Sequence, residues 1–181
     1  LRAFHNNFPG IRLRISNHST PQAVQAVKNG EVDFAIITTP AEVESGLKMV
    51  ELKPFYEVLV GGRTFTALAS QNLSLKELNN YPLISLSDES MTRAFYRQFF
   101  LDHGAVLKPD TEAATTDQIL PMITHNLGIG FYPEELAAEA IARGSAYAIR
   151  LVEPIPEREI CLVTNSSTQM SAAVRKVISF L

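Results

Sequence analysis

Cysteine is nearly absent from this chain of 181 residues, and so is any long apolar run. The single cysteine, Cys161, excludes an internal disulfide and any zinc site built on several cysteines. Its neighbours Ile160 and Leu162 predict a strand in which Cys161 is a small core residue rather than a nucleophile. No stretch approaches the roughly 20 apolar residues of a membrane-spanning helix, so we expect no membrane segment. No signal-peptide pattern is found at the start.

Lysine and arginine are not clustered anywhere along the chain either. The net charge is −3 and the isoelectric point is about 5.8, which disfavours nucleic-acid binding by these residues. Hydrophobic residues make up 46% of the chain and charged residues 19%, a balance typical of globular proteins. The length allows one large domain or two small lobes.

Patterns of catalysis and of cofactor binding are also missing. The sequence has no Gly-x-Ser-x-Gly elbow and no phosphate-binding loop. The pair Gly128 and Gly130 lacks the third glycine of a dinucleotide fingerprint, and Asp88 and Glu89 fit a solvated loop better than a paired-carboxylate site. We therefore predict no cofactor, no metal and no catalytic activity. Metal-ligand spacing is absent from the four histidines, which are His5, His18, His103 and His125.

Predicted strands and helices alternate along most of the chain. The alternation predicts an α/β architecture with mostly parallel sheets, in which ligands bind beyond the carboxyl ends of the strands. Helices are expected near both ends, the first with Leu1, Phe4 and Phe8 on one face, and over 20–30, 91–103, 116–127 and 133–144. Strands are expected at 11–15, 32–37, 55–60, 82–86, 112–115, 129–132, 147–152 and 159–164.

Two segments place hydroxyl side chains where a strand gives way to a helix. Thr20 is a candidate cap for a helix that has Pro21 in its first turn and stops at Gly30. Thr115 and Thr116 begin the second such helix. Ordinary capping explains either segment alone. Helix starts also offer free N–H groups and a dipole that favours negative charge, so the two together indicate a cleft for a small anion.

Four motifs, in family order, resemble the effector-binding domain of LysR-type transcriptional regulators. The similarity covers essentially the whole chain and departs from the family pattern at Asn126 and Tyr132. It implies one domain of a longer bacterial regulator, whose winged helix-turn-helix and first strand are absent from this sequence. The motifs are Phe8-Pro9-Gly10-Ile11-Arg12-Leu13, Asn29-Gly30-Glu31-Val32-Asp33-Phe34-Ala35-Ile36, Ser74-Leu75-Lys76-Glu77-Leu78 with Pro82-Leu83-Ile84, and Leu127-Gly128-Ile129-Gly130-Phe131-Tyr132-Pro133.

The resemblance implies an α/β, two-lobed fold like that of type II periplasmic binding proteins, with two crossover strands. Lobe I is expected at 1–59 and 162–181, and lobe II at 60–161. A small-molecule effector, a carboxylate or another anion, would bind between the lobes and alter DNA binding and transcription. DNA would be contacted only by the absent domain. The family further implies a cytoplasmic homodimer or tetramer.

The same resemblance directs attention to hydroxyl side chains as ligand contacts. Hydroxyl groups both donate and accept hydrogen bonds, so they suit oxyanion effectors. In lobe II the apolar wall of the site is expected to be Phe131 or Tyr132. The hydroxyl contacts are expected to be Ser19, Thr20, Thr38 and Thr39 in lobe I, and Ser87, Thr115 and Thr116 in lobe II.

Two other classes of protein share this fold. A periplasmic solute-binding protein of a transporter would begin with a secretion signal. An enzyme similar to prephenate dehydratase would carry Thr-Arg-Phe, which Ala94 interrupts here between Arg93 and Phe95. The sequence favours the regulator domain over both and does not name the effector.

The predicted helix at 91–103 is unusually rich in aromatic residues. Phe95, Tyr96, Phe99 and Phe100 form a stripe wider than one core face needs. One interpretation is that the flank of this helix, with Phe100, meets a second copy in an antiparallel homodimer. The other is that all four side chains are buried within one lobe.

Overall fold

The computed structural model describes residues 2–181, which divide into two compact units. The smaller unit comprises Leu1–Lys53 and Ile160–Leu181, and the larger unit is Pro54–Glu159. Both changes of unit fall a few residues before the lobe boundaries expected from the sequence, which were 59/60 and 161/162. Leu1, which was assigned to the apolar face of the first helix, lies outside the described residues.

The described residues form six α-helices and nine strands. Two 3₁₀ helices, Arg63–Ser70 and Glu77–Asn80, complete the regular structure. None of the described helices combines the length and apolarity needed to cross a bilayer. In chain order the elements are α1 (Arg2–Asn7), α2 (Thr20–Lys28), β1 (Phe34–Thr38), β2 (Leu47–Phe55), β3 (Glu57–Gly62), β4 (Asn72–Leu73), β5 (Leu83–Leu86), α3 (Met91–Asp102), β6 (Thr111–Ala113), α4 (Thr116–Thr124), β7 (Ile129–Pro133), α5 (Glu134–Ala142), β8 (Ala146–Leu151), β9 (Arg158–Asn165) and α6 (Ala172–Ile178).

The smaller unit contains a three-stranded sheet of order β1-β9-β2, in which β1 and β9 are antiparallel. Ala35 and Ile37 of β1 face the core together with Cys161 of β9, and α2 packs against β1. Cys161 has no exposed surface, which confirms it as a core residue. The left-handed φ of 71° at Gly30 allows the turn between α2 and β1.

Residues 11–15 do not form the predicted strand. Their alternation of apolar and polar residues gave the prediction, yet Ile15 is 73% exposed. A strand also needs a hydrogen-bonded neighbour, and none of the strands within residues 2–181 pairs with this segment. By contrast, the strand β2 was not predicted, because most of its residues are exposed.

The larger unit contains a six-stranded sheet of order β4-β8-β3-β7-β5-β6. The sheet is mixed: three of its five strand pairs are parallel, in line with the prediction of mostly parallel sheets, but β3 is antiparallel to both of its neighbours, β7 and β8. Parallel pairs occur only farther out, at β5–β6, β5–β7 and β4–β8. β3 follows β2 directly and has no crossover helix to set its direction, so strand–helix alternation did not predict its orientation.

These directions bring the carboxyl ends of three strands to one edge of the sheet. Leu86 at the end of β5 lies opposite Ala113 at the end of β6. Glu57 begins β3 opposite Pro133, where β7 ends. We call this boundary the carboxyl edge; it is defined by Glu57, Leu86, Ala113 and Pro133.

Two local features explain the sequence around Leu127–Pro133: the backbone of Pro82 lies very close to Gly128, and the preceding residue, Asn126, has a left-handed conformation. A Cβ at Gly128 would lie 2.3 Å from the carbonyl oxygen of Pro82, which excludes any side chain there. Asn126 has a φ of 64°, a conformation that asparagine tolerates better than most residues. Its Oδ1 accepts a hydrogen bond of 3.0 Å from the N–H of Thr64. The departure from the family pattern at 126 therefore has a local structural role.

The aromatic stripe of α3 is buried within the larger unit. Phe100 has no exposed surface, and Tyr96 and Phe99 are 3% and 4% exposed. Phe95 packs against the same core cluster. The prediction that Phe100 lies at a dimer interface is therefore wrong, because the sheet beneath α3 already covers it.

Burial predicts unequal effects for adjacent residues of α3. Phe100→Ala should lower the free energy of unfolding by about 3–5 kcal/mol, because it leaves a cavity in the core. Leu101→Ala, at a side chain that is 54% exposed, should change it by no more than about 0.5 kcal/mol. Urea unfolding followed by circular dichroism measures both. Equal effects of the two substitutions would contradict this placement of α3.

Candidate functional site

A small cavity lies at the carboxyl edge of the larger unit. Its volume is about 10 Å³, which is the space of roughly one water molecule. Strand ends supply part of the wall, and the starts of α3 and α4 supply the rest. The lining residues are Glu57, Ile84, Ser85, Leu86, Thr92, Tyr96, Thr116, Ile119 and Phe131.

The start of α4 places Thr116 at this cavity. Thr115 is the N-cap residue and Thr116 the first residue of the helix, so the capping position belongs to Thr115. Gln118 Oε1 accepts hydrogen bonds from the N–H groups of Ala114 and Thr115, at 2.9 and 3.3 Å. These bonds fix the strand-to-helix turn and leave Thr116 as the hydroxyl residue of the turn that lines the cavity.

A buried ion pair supports the cavity from one side. Arg158 Nη1 lies 2.6 Å from Glu57 Oε2, and the two side chains are only 3% and 4% exposed. Arg158 Nη2 also donates to Thr92 Oγ1 at 2.8 Å. The guanidinium carbon lies 5.1 Å from the ring centre of Phe55 and 5.0 Å from that of Phe95, within cation–π range. These contacts offset the desolvation of both charges.

Tyr96 brings a second buried polar group to the cavity. Its ring stacks on Phe131, with the ring centres 4.1 Å apart. Burial raises the pKa of the Tyr96 phenol well above its ordinary value, and the nearby Glu57 charge raises it further. The phenol is therefore neutral at physiological pH. Although Glu57 is close, Tyr96 Oη makes no hydrogen bond of ordinary geometry within residues 2–181.

The other buried arginine, Arg93, is also held by its own unit. It donates to the carbonyl oxygen of Leu86 at 3.2 Å, and it lies 3.5 Å from Asp88 and 3.7 Å from Glu112. Asp88 thus balances a cation, which agrees with a structural role for this carboxylate. Arg93 and Arg158 are both paired with carboxylates, although Arg93 Nε makes no hydrogen bond of ordinary geometry within residues 2–181. Hydroxyl and backbone N–H groups are the uncharged donors that the carboxyl edge offers to an anion.

Only some of the site residues predicted in the larger unit line the cavity. Thr116 and Phe131 line the cavity, and Thr115 caps α4 beside it. Ser87 lies in the turn after β5, where its N–H donates to the carbonyl oxygen of Ala113 at 3.0 Å. Tyr132 is buried in the core cluster on the other face of the sheet from Phe131. Burial, and then the charge of Asp117, raise the pKa of Tyr132 above its ordinary value.

The four predicted residues of the smaller unit lie at the start of α2 and at the end of β1. Ser19 is the N-cap of α2, so Thr20 is the first helical residue and not the cap. The N–H of Ser19 donates to Gln22 Oε1 at 3.1 Å. Thr38 ends β1 and Thr39 follows it. α2 and β1 pack against each other.

Glu57, Thr92, Tyr96 and Arg158 were not predicted from the sequence. The only sequence signal for the ion pair is a charged residue at the start of each of two largely apolar strands, at Glu57 and Arg158. The partners are 101 residues apart, and no local pattern joins them. Tyr96 was assigned to the core by its helical spacing, and its ring does pack there.

A much wider groove runs along β8. Its volume is about 720 Å³, and it is open to solvent. It shares Glu57 with the small cavity but contains none of the predicted site residues. Its other lining residues include Tyr56, Asn72, Glu134, Arg150 and Glu153. Size alone would favour this groove, but hydroxyl groups and strand ends converge at the small cavity, which we take as the candidate site. Within residues 2–181, no three metal-ligating side chains converge.

The whole sequence, residues 1–181, matches the family model described as the LysR substrate binding domain. The chain therefore belongs to this family. The match agrees with the order of the motifs and with the two-unit α/β fold described above.

Curated relatives are transcriptional regulators. The chain is 26% identical over 130 residues to the HTH-type transcriptional regulator SsuR of Burkholderia cenocepacia, covering 72% of this chain and 42% of SsuR. It is 24% identical over 174 residues to the hydrogen peroxide-inducible genes activator of Haemophilus influenzae, covering 95% of this chain and 57% of that protein. The chain thus spans about half the length of the curated relatives that it matches.

Solved structures support the same fold. The regulatory domain of Synechocystis PCC6803 CcmR, in complex with 2-PG, has a TM-score of 0.83 at 20% identity. The match covers 99% of this chain and 86% of that one. The effector binding domain of QuiR, in complex with shikimate, has a TM-score of 0.80 at 20% identity, with coverage of 99% and 85%. These similarities confirm the two-lobed fold like that of periplasmic binding proteins.

The comparisons also decide between the classes that the sequence left open. The relatives regulate transcription, and the family is not enzymatic, so the prediction that the chain is not an enzyme is confirmed. They equally favour the regulator domain over a transport protein.

The buried ion pair should be costly to break from one side. Arg158→Met leaves the Glu57 carboxylate buried without its cation, so the free energy of unfolding should fall by about 3–5 kcal/mol. Adding Glu57→Gln to that variant should recover a large part of the loss. Arg143→Met, which breaks the exposed pair with Glu139, is the control and should cost less than about 1 kcal/mol. Chemical denaturation compares the four proteins, and equal losses at Arg158 and Arg143 would contradict a structural role for the buried pair.

Proposed function

We propose that this chain is the effector-binding domain of a cytoplasmic bacterial LysR-type regulator, and that it binds a small anionic metabolite at the carboxyl edge. The observation that carries the proposal is the cavity where Thr116 opens α4 beside the parallel strand ends of a LysR substrate binding domain. Open α/β sheets bind ligands at such edges.

The chemistry of the edge supports an anion held by neutral donors. Thr116, Thr92 and Ser85 supply hydroxyl groups, and the first turn of α4 supplies backbone N–H groups. The buried pair supplies no net positive charge, because Arg158 is balanced by Glu57, so neutral donors carry the binding. The CcmR and QuiR domains were solved with 2-PG and shikimate, and we propose a small metabolite for this chain as well.

The predicted contacts outside the cavity remain part of the proposal. Ser87 and Thr115 are adjacent to the cavity wall along the chain, and Ser19, Thr20, Thr38 and Thr39 are the proposed contacts of the smaller unit. Tyr132 is the weakest of the predicted set, since it faces the core. Phe131 is preferred as the apolar wall.

Regulation of DNA binding would be a property of a longer protein. Relatives longer than this chain are described as HTH-type regulators. Effector binding would favour one conformation of the domain over another and so shift DNA binding, to the extent that the effector prefers that conformation.

A thermal-shift screen tests the proposed ligand class. Small carboxylates, amino acids and inorganic anions are added separately to the domain. A ligand that binds only the folded state raises Tm in proportion to the logarithm of its concentration. At least one organic anion is expected to do so, with calorimetry giving its Kd. If none of the screened anions raises Tm, the proposed anionic effector is wrong.

Thr116 should contribute directly to the affinity for that effector. Thr116→Val keeps the shape of the side chain but removes its hydroxyl, and should weaken binding by about 1–2 kcal/mol, the scale of a hydrogen bond to a charged group. Thr124→Val changes the last residue of the same helix, where Oγ1 donates to the Pro121 carbonyl oxygen, and serves as the matched control. Calorimetry compares both variants with the parent chain. Equal Kd values for all three proteins would remove Thr116 from the site.

We also propose that the domain forms a homodimer. The support comes from family membership alone, since the aromatic side chains of α3 pack inside one unit. Sedimentation velocity at micromolar concentration should show a species of twice the 20.0 kDa chain mass. A single species of chain mass across that range would count against the dimer for this domain.

A further inference from the structure

The hydroxyl of Tyr96 makes no hydrogen bond of ordinary geometry within residues 2–181, although the residue is only 3% exposed. Glu57 is close enough to interact with this hydroxyl, but not at the geometry of a normal hydrogen bond. Most buried polar groups in proteins are paired, because an unpaired one loses its bonds to water. Tyr96 lines the small cavity together with Glu57 and Thr92. This hydroxyl, which lacks a well-formed hydrogen bond, therefore lies where another molecule can supply a better partner.

Its neighbours determine which chemical group fits. Glu57 accepts from Arg158 through Oε2, and its other oxygen, Oε1, is a further acceptor. Tyr96 Oη can donate or accept. A group that both donates and accepts can therefore bond to Glu57 and to Tyr96 at the same time.

The size of the cavity and the charge of its lining residues further limit which ligand group can bind. The cavity of about 10 Å³ admits roughly one oxygen-sized group. The Glu57 charge is already balanced by Arg158, so no ligand cation is required. An alcohol hydroxyl meets both conditions.

We infer that the cavity bounded by Glu57, Thr92 and Tyr96 is a hydroxyl subsite of the effector site. Through it the domain selects hydroxy acids over acids that lack the hydroxyl. In the complex the ligand hydroxyl donates to Glu57 and accepts from Tyr96 Oη, while the anionic group lies toward Thr116. This assignment rests on the proposed function for the anionic group only.

The first experiment needs no ligand. In Tyr96→Phe this hydroxyl is removed, so Tm of the ligand-free domain should rise, by roughly 2–4 °C if one such penalty is relieved. Tyr147→Phe is the control, since Tyr147 lies near the opposite end of the sheet, at the start of β8, where it pairs with Gly61. An unchanged or lower Tm for Tyr96→Phe overturns the subsite, because the hydroxyl would then already have a partner such as a fixed water or Glu57.

The second experiment uses matched ligand pairs. Calorimetry compares lactate with propionate, malate with succinate, and the neutral pair lactamide with propionamide. Within a pair, the hydroxylated member should bind roughly tenfold or more tightly, and Tyr96→Phe should reduce that ratio toward one while Tyr147→Phe leaves it unchanged. Equal affinities within every pair, or no binding by any of the six, would overturn the subsite.

The neutral pair separates this inference from the proposed function. If lactamide binds better than propionamide while none of the four acids binds, the hydroxyl subsite is supported and the anionic effector is contradicted. If acids bind without preference for the hydroxylated member, the anionic effector is supported and the subsite is wrong.

Discussion

The buried pair of Glu57 and Arg158 is the constraint on which the candidate site depends. Two desolvated charges are tolerated only where further contacts compensate them, and here Thr92 and the rings of Phe55 and Phe95 do so. Both residues lie within a few positions of the chain segments that link the two units. The pair therefore fixes the start of β3 and the start of β9 against the first turn of α3.

The mixed sheet gives this pair its place beside the strand ends. Because β3 is antiparallel to β7, its first residue lies at the edge where β5, β6 and β7 end. Side chains then separate by face, with Phe131 toward α3 and Tyr132 toward α4 and α5. One edge thus combines helix starts, hydroxyl groups and a compensated charge, and this combination suits recognition of a small polar ligand in a LysR substrate binding domain.

Short-range sequence patterns correctly predicted the features that depend on neighbouring residues. Most helices and strands, the turn at Gly30 and the burial of Cys161 follow from periodicity and stop signals. The predictions that failed concerned strand pairing. Residues 11–15 have no neighbouring strand within residues 2–181, and β3 was oriented by chain order rather than by a crossover helix. In the candidate site, Thr116 and Phe131 were predicted because each lies at a recognisable junction or motif. Arg158 and Glu57 were missed because their pairing spans 101 residues.

The most direct test of the central claim is a crystal structure of the domain with an organic anion that stabilises it. Ligand density is expected at the carboxyl edge, with an oxyanion within hydrogen-bond distance of Thr116 and the Glu57–Arg158 pair intact beside it. Density confined to the wide groove along β8, with the small cavity unchanged, would contradict it.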